Sequence, residues 1–163
     1  MENFKDQSVT PFFQVRHYTE SDYKSMFATQ DLPADTILME YGYREILRHP
    51  SRYSVQTSMN RHIHLAPEYL QYINHSCNPN VFFDLQTMTL RTLRPIQKGE
   101  EVAFFYPSTE WAMTEAFDCL CNSEQCLGRI QGAAFLGEEI LETHQLSIHI
   151  KTKLSEREAM LVG

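Results

Sequence analysis

The chain has 163 residues, of which 42% are hydrophobic and 21% charged, and it carries a formal net charge of -7. That length suits one domain with a usable core. The acidic balance disfavours non-specific nucleic-acid binding, so no direct nucleic-acid partner is expected and a basic partner fits better. No stretch approaches the ~18 apolar residues that span a bilayer, and MENFKDQSVTPFF lacks a basic segment leading into an apolar run. An intracellular site, cytoplasm or nucleus, is therefore expected.

In chain order, TPFFQVRHY reads as a first strand with Phe12, Phe13 and Val15 as its apolar positions. SMFATQ and TILMEYG read as further strands, divided by a turn at Pro33 and Asp35. Residues 44–60 show no clear period. APEYLQYI predicts a short helical turn opening at Pro67. NVFFDL and MTLRTL predict a hairpin around Gln86 and Thr87, and EEVAFFY a strand after Pro95 and Gly99. AAFLGEEILETH has helical spacing, and SEREAML opens on a capping-box pair, Ser155 and Glu158. Many short strands with few helices predict a mainly β protein.

The cysteines carry the first chemical signal. Cys119, Cys121 and Cys126 stand as C-x-C-x4-C, and Cys77 lies far upstream in YINHSCNPNV. Three close cysteines leave a tetrahedral zinc site one ligand short, and Cys77 can supply the fourth. Two disulfides are the alternative, but a reducing compartment and the C-x-C spacing favour one structural zinc ion. The segment 117–128 is too loop-like to hold itself without metal.

At Asn74-His75-Ser76-Cys77-Asn78-Pro79-Asn80 the chain resembles the SET-domain family of protein lysine methyltransferases, whose signature is N-H-S-C-x-P-N. Gly99-Glu100-Glu101-Val102-Ala103-Phe104-Phe105-Tyr106 is similar to the family's G-E-E-L-T-x-D-Y motif, and the C-x-C-x4-C stretch to its post-SET segment. FATQDLPADTILMEYG is similar to the turn and strand that follow the family's first motif. The resemblance spans about residues 12–128, with the motifs in the family's order. It implies small curved sheets around a knot-like crossing, few short helices and a zinc-stabilised post-SET segment. The implied organisation is a SET domain over 10–108, a post-SET zinc segment over 109–128 and a C-terminal extension over 129–163.

The resemblance also implies a reaction and roles: a methyl group passes from the sulfonium of S-adenosylmethionine to a neutral lysine amine, chiefly through positioning. Tyr106 matches the family's catalytic tyrosine. Tyr41 matches its second channel tyrosine, with Tyr43 as the rival because the EYGY register is off by one. Phe104 stands where the family alternates Phe and Tyr, which implies room for di- or trimethylation. Asn74 and His75 match cofactor contacts, and Leu120 matches an apolar cover for the adenine. Phe117 is a further candidate for that cover, and Phe105, where Asp is common, reads as packing. Tyr23-Lys24-Ser25-Met26 occupies the family's G-x-G stretch without either glycine, with Lys24, Ser25 and Met26 expected beside the cofactor.

Three functions follow. The first is an S-adenosylmethionine-dependent methyltransferase acting on a basic lysine-containing protein such as a histone tail. The second is a catalytically weak module that grips a lysine peptide in the same channel, which the missing glycines favour. The third, a zinc-stabilised interaction domain, leaves Asn74, His75 and Tyr106 unexplained.

Overall fold

A computed structural model of the chain describes residues 3–162. β1 (Phe4–Ser8) and β2 (Phe13–Tyr18) form an antiparallel hairpin. Its turn is held by the Thr10 hydroxyl, which accepts from the N–H groups of Phe12 and Phe13. Along β2, Phe13 and Val15 point inward and alternate with more accessible residues, as a half-buried strand requires. β3 (Lys24–Ala28) pairs with β2, and β4 (Ile37–Glu40) leads into β5 (Gly42–Leu47). β6 (Val55–Ser58) and β7 (Arg61–Ala66) follow, and the three make a sheet in the order β5-β7-β6. A 3-10 turn over Glu68–Tyr72, opened by Pro67, delivers β8 (Asn74–His75). β9 (Val81–Asp84) and β10 (Thr89–Thr92) form the expected hairpin, with β4 on its open side.

β11 (Glu101–Phe104) creates the crossing that defines the fold. It pairs antiparallel with β3 on one side and parallel with β8 on the other, giving a sheet ordered β1-β2-β3-β11-β8. The chain after β8 then closes around this strand. Ser76 N–H donates to the Phe104 carbonyl at 3.0 Å, and Asn80 N–H to the Ala103 carbonyl at 3.1 Å. The fully buried Asn80 side chain locks the loop: its oxygen accepts from Ala103 N–H at 2.9 Å, and its amide donates to the Glu101 carbonyl and the Glu100 carboxylate. The small sheets meet over one core that includes Phe13, Met26, Ile63, Leu70, Phe83 and Val102.

The rest of the chain builds a second, smaller core. β12 (Phe117–Asp118) pairs with β13 (Arg129–Ile130) and closes the cysteine segment at its base. Two helices follow, α1 (Glu138–Leu141) and α2 (Ile148–Val162). Leu141, Leu146 and Ile150 pack with Phe105 and Ala133, and the His144 ring stacks on Phe105 at 3.7 Å. Phe105 is thus a packing residue that anchors the C-terminal extension.

Three local expectations are corrected. The expected helix over AAFLGEEILETH is a 3-10 turn and the single turn of α1, because Leu136 and Gly137 are extended between them. Ser155 and Glu158 do not open a helix; both lie inside α2, which begins at Ile148 under the packing of Ile150. β1 and the sheet β5-β7-β6 were not expected at all. β1 is exposed along its length, and β5 nearly so, so neither has the alternation that marks a half-buried strand.

Candidate active site

A cavity of about 800 Å³ opens where the 50–55 loop, β8, the end of β11 and the segment 112–121 converge. Its volume lies in the range of small-molecule sites. Tyr106 sits in its wall directly after β11, with its ring 4.9 Å from Phe104 and 5.7 Å from Phe117. Phe104 is braced edge-on by Phe83 at 4.9 Å. Burial, helped by nearby Tyr23, Glu110, Tyr53 and Glu101, raises the Tyr106 phenol well above its usual range. It therefore stays a neutral O–H near neutral pH, able to donate or accept a hydrogen bond but not to act as a phenolate base.

Asn74 and His75 come to the cavity from β8, set there by the parallel pairing with β11. The Asn74 amide donates to the Lys24 carbonyl at 2.9 Å and to the Tyr23 hydroxyl at 3.1 Å. Burial, more than the charges of Glu101 and Tyr18, pushes the Tyr23 phenol up to about 12, so it too stays protonated. The missing glycines are accommodated without strain. Among the described residues the non-glycine positions of positive φ are Asp35, Met88 and Asn122. Tyr23 and Ser25 are therefore in ordinary backbone, and Ser25 holds regular register opposite Arg16.

The His75 ring joins the cavity to the cysteines. Tyr106 N–H donates to its Nδ1 at 3.0 Å, so the proton of the neutral ring lies on Nε2, which faces Cys77 Sγ at 3.3 Å. Burial, with His144 nearby, pushes this imidazole down to about 3 and keeps it neutral. Cys77 Sγ also accepts from Leu127 N–H at 3.4 Å. The sulfurs of Cys77, Cys119, Cys121 and Cys126 all lie within 4.8 Å of one another, and Cys77 and Cys119 are 3.8 Å apart. Zn–S bonds of about 2.3 Å in a tetrahedron put sulfurs about 3.8 Å apart, so this donor set fits zinc. Two donors already aimed at Cys77 suit a thiolate ligand oriented from behind.

Several expected site residues fall elsewhere. Tyr41 is not in the cavity wall: it is buried in the main core, its ring edge-on to Phe83 at 5.4 Å and its hydroxyl donating to the Asp84 carbonyl at 3.0 Å. Its rival Tyr43 is half-exposed on β5 with Arg61 over its ring. Of Lys24, Ser25 and Met26 only Lys24 lines the cavity, with its ammonium 4.8 Å from the Tyr72 ring centroid. Ser25 and Met26 are both buried, Met26 in the main core. Leu120 is at the cavity edge, 86% exposed.

Other wall residues escaped the sequence reading. Tyr53 enters on the 50–55 loop and packs edge-on against Tyr72 at 5.7 Å. That loop is pinned by His64, which bridges Ser51 Oγ at 2.7 Å and Glu45 at 3.1 Å. Glu110 lies four residues after Tyr106 and has its carboxyl buried. An acidic residue following a candidate catalytic tyrosine was the one signal available for it.

A cavity with a neutral tyrosine and an asparagine in its wall thus lies beside four cysteines that could hold a metal ion. The SET domain family model matches residues 24–107, and the chain belongs to that family. It is 41% identical over 107 residues to Methyltransferase flvH of Aspergillus flavus, which covers 64% of this chain and 60% of that protein. It is 30% identical over 138 residues to a Histone-lysine N-methyltransferase, H3 lysine-36 specific, of Mycosarcoma maydis, which covers 70% of this chain and 14% of that one. The crystal structure of KRYPTONITE in complex with mCHG DNA and SAH superposes with a TM-score of 0.57 at 20% identity, covering 76% of this chain and 30% of that one. The chain thus spans only part of the curated relatives it matches. No helix among the described residues is long and apolar enough to cross a membrane.

Proposed function

We propose that this chain is a protein-lysine N-methyltransferase that moves a methyl group from S-adenosylmethionine to a lysine side chain, with one structural zinc ion. The observation that supports it most is the gathering of Asn74, His75, Phe104 and Tyr106 on one cavity, with the four cysteines at its edge. The cosubstrate brings a methyl group on a sulfonium. The chain's own groups position the reaction. The Tyr106 hydroxyl orients the amine and offers its oxygen to the moving methyl through weak C–H···O contacts. Phe104 leaves the space beside it free of a hydroxyl, which supports di- or trimethylation. Asn74 and Lys24 serve the polar end of the cosubstrate, and Leu120 its adenine. Cys77, Cys119, Cys121 and Cys126 would hold the zinc, which fixes the 117–128 segment against the cavity.

In this reading residues 10–108 form the SET domain, 109–128 the zinc segment and 129–163 an extension packed on Phe105. The substrate is a basic, lysine-containing protein such as a histone tail. A net charge of -7 and the names of the relatives support it, as they do a location in nucleus or cytoplasm. The observation favouring a weak binding module instead is that both Asn74 amide bonds are already taken by Tyr23 and Lys24.

Calorimetric titration with S-adenosylhomocysteine separates the two readings. The methyltransferase predicts saturable one-to-one binding, weakened by Asn74→Ala. Absence of binding up to about millimolar ligand, ~4 kcal/mol, would contradict it.

A further inference from the structure

The amine that attacks the sulfonium must be neutral, whereas a lysine side chain enters from water as an ammonium, with a pKa of about 10.4. Tyr106 cannot take the extra proton, because its phenol is held protonated by burial. Another group in the wall has to meet that charge, or the substrate must lose it before entry.

Glu110 is placed for the task. It lines the same cavity as Tyr106 and lies just past the 3-10 turn Tyr106–Ser108, where Glu110 N–H donates to the Tyr106 carbonyl at 2.9 Å. One carboxyl oxygen, Oε2, is fixed by two donors, Gln56 N–H at 3.0 Å and the Thr109 hydroxyl at 2.6 Å. The other oxygen, Oε1, has no hydrogen-bond partner among the described residues, yet it is not sealed in the interior. No Lys, Arg or His among the described residues pairs with this carboxylate. A mostly buried carboxylate with one fixed oxygen, one open oxygen and no paired cation suits a cationic ligand. The other acids in the wall without an ion pair among the described residues, Glu101 and Glu115, are both exposed.

We propose that Glu110 is a substrate-contacting residue that receives the lysine ammonium at the Tyr106 end of the cavity and takes its proton. This rests on the methyltransferase reading. An Nζ–H bond of the ammonium breaks and an Oε1–H bond forms, leaving a neutral amine. That amine forms the N–CH3 bond as the S–CH3 bond breaks, the electron pair of the broken bond stays on sulfur, and the product leaves as a methylammonium. Glu110 returns its proton to water. Burial raises the Glu110 carboxyl to about 7, which matches a proton acceptor working near neutral pH. The titratable groups on the elements packed against it are Tyr106 on its own segment, His62 of β7, paired with Gln56 and kept neutral by burial, and His149 of α2. The His149 ring binds the Thr109 carbonyl at 2.7 Å and is kept neutral by burial. Arg52 of the opposing 50–55 loop lies over the Tyr53 ring.

The test is a carbon-13 carboxyl titration of the whole chain labelled in its glutamates, with E110Q assigning the Glu110 signal. n-Butylammonium chloride serves as the side-chain mimic and 1-butanol as its neutral control. The expected result is a midpoint near 7 that falls by about one unit with n-butylammonium and not with 1-butanol. A midpoint near 4.5, or one that n-butylammonium leaves in place, would overturn the assignment whether or not the chain transfers methyl groups. A second arm follows methyl transfer from S-adenosylmethionine to core histones. The wild-type rate should break near pH 7, E110Q should lose the break with a fall of about 100-fold, and E110D should keep it. A break that survives in E110Q would refute the role. No wild-type transfer at any pH would count against the methyltransferase reading alone.

Discussion

Glu110 should make the protein less stable as the pH rises through neutrality, and Glu110→Gln should remove that loss. The Glu110 carboxyl is held by burial at about 7, against an ordinary value of 4.5. Between those values the folded chain binds more protons than the unfolded one, so stability falls with rising pH. The group costs nothing below 4.5, and its full effect is reached above 7. Each pH unit of difference corresponds to 1.36 kcal/mol, so the loss is about 3 kcal/mol. The side chain is mostly buried but opens on the cavity, so solvent screening makes this figure an upper bound. A glutamine at this position does not titrate, and its oxygen can accept the same bonds from Gln56 N–H and the Thr109 hydroxyl. Urea unfolding of both proteins from about pH 5 to about pH 8 measures the difference. Protonation of the cysteines at low pH affects both proteins alike and cancels. Because part of the loss precedes pH 5, a urea slope of roughly 2 kcal/mol/M predicts that the E110Q midpoint gains about 1.2 M on the wild type across that range. Two midpoint curves that stay parallel would refute the buried, high-pKa carboxylate and weaken the case for its role.

Two further perturbations probe what holds the site together. Asn80→Ala strips three hydrogen bonds from the loop around β11 and leaves Ala103 N–H buried without a partner. A loss of about 3–5 kcal/mol is expected in urea unfolding, and a change under about 1 kcal/mol would show that the loop is held by other means. Chelation, or Cys119→Ser, should release about one zinc per chain and disorder residues 117–128, as read by amide hydrogen exchange. It should also raise exchange at Tyr106 N–H, because His75 links that group to Cys77. Unchanged protection at Tyr106 would break that link.

The parts of the molecule legible in sequence were those with a local signature. Phe13 and Val15 marked β2, the NVFFDL and MTLRTL runs marked a hairpin, and Pro67 marked a turn. The cysteine spacing pointed to a cluster whose sulfurs do converge. β1, by contrast, is exposed along its length and is set by its register on β2, not by its own pattern. Tyr41 and Tyr53 illustrate the limit at the site. A motif places a tyrosine in the chain but not on a face, and the packing of Tyr41 on Phe83 turns it inward. Tyr53 reaches the cavity through His64, Ser51 and Glu45, a constellation brought together only by the sheet β5-β7-β6. Glu110 was missed for the same reason, since its burial depends on Gln56 from a distant strand.

The central claim is methyl transfer positioned by Tyr106. Mass spectrometry of core histones and other basic proteins, incubated with S-adenosylmethionine and either the wild type or Tyr106→Phe, tests it most directly. The account predicts lysines carrying more than one methyl group with the wild type, and a rate at least about 100-fold lower with the variant. Equal transfer by the two proteins, or none by the wild type to any basic protein, would contradict it.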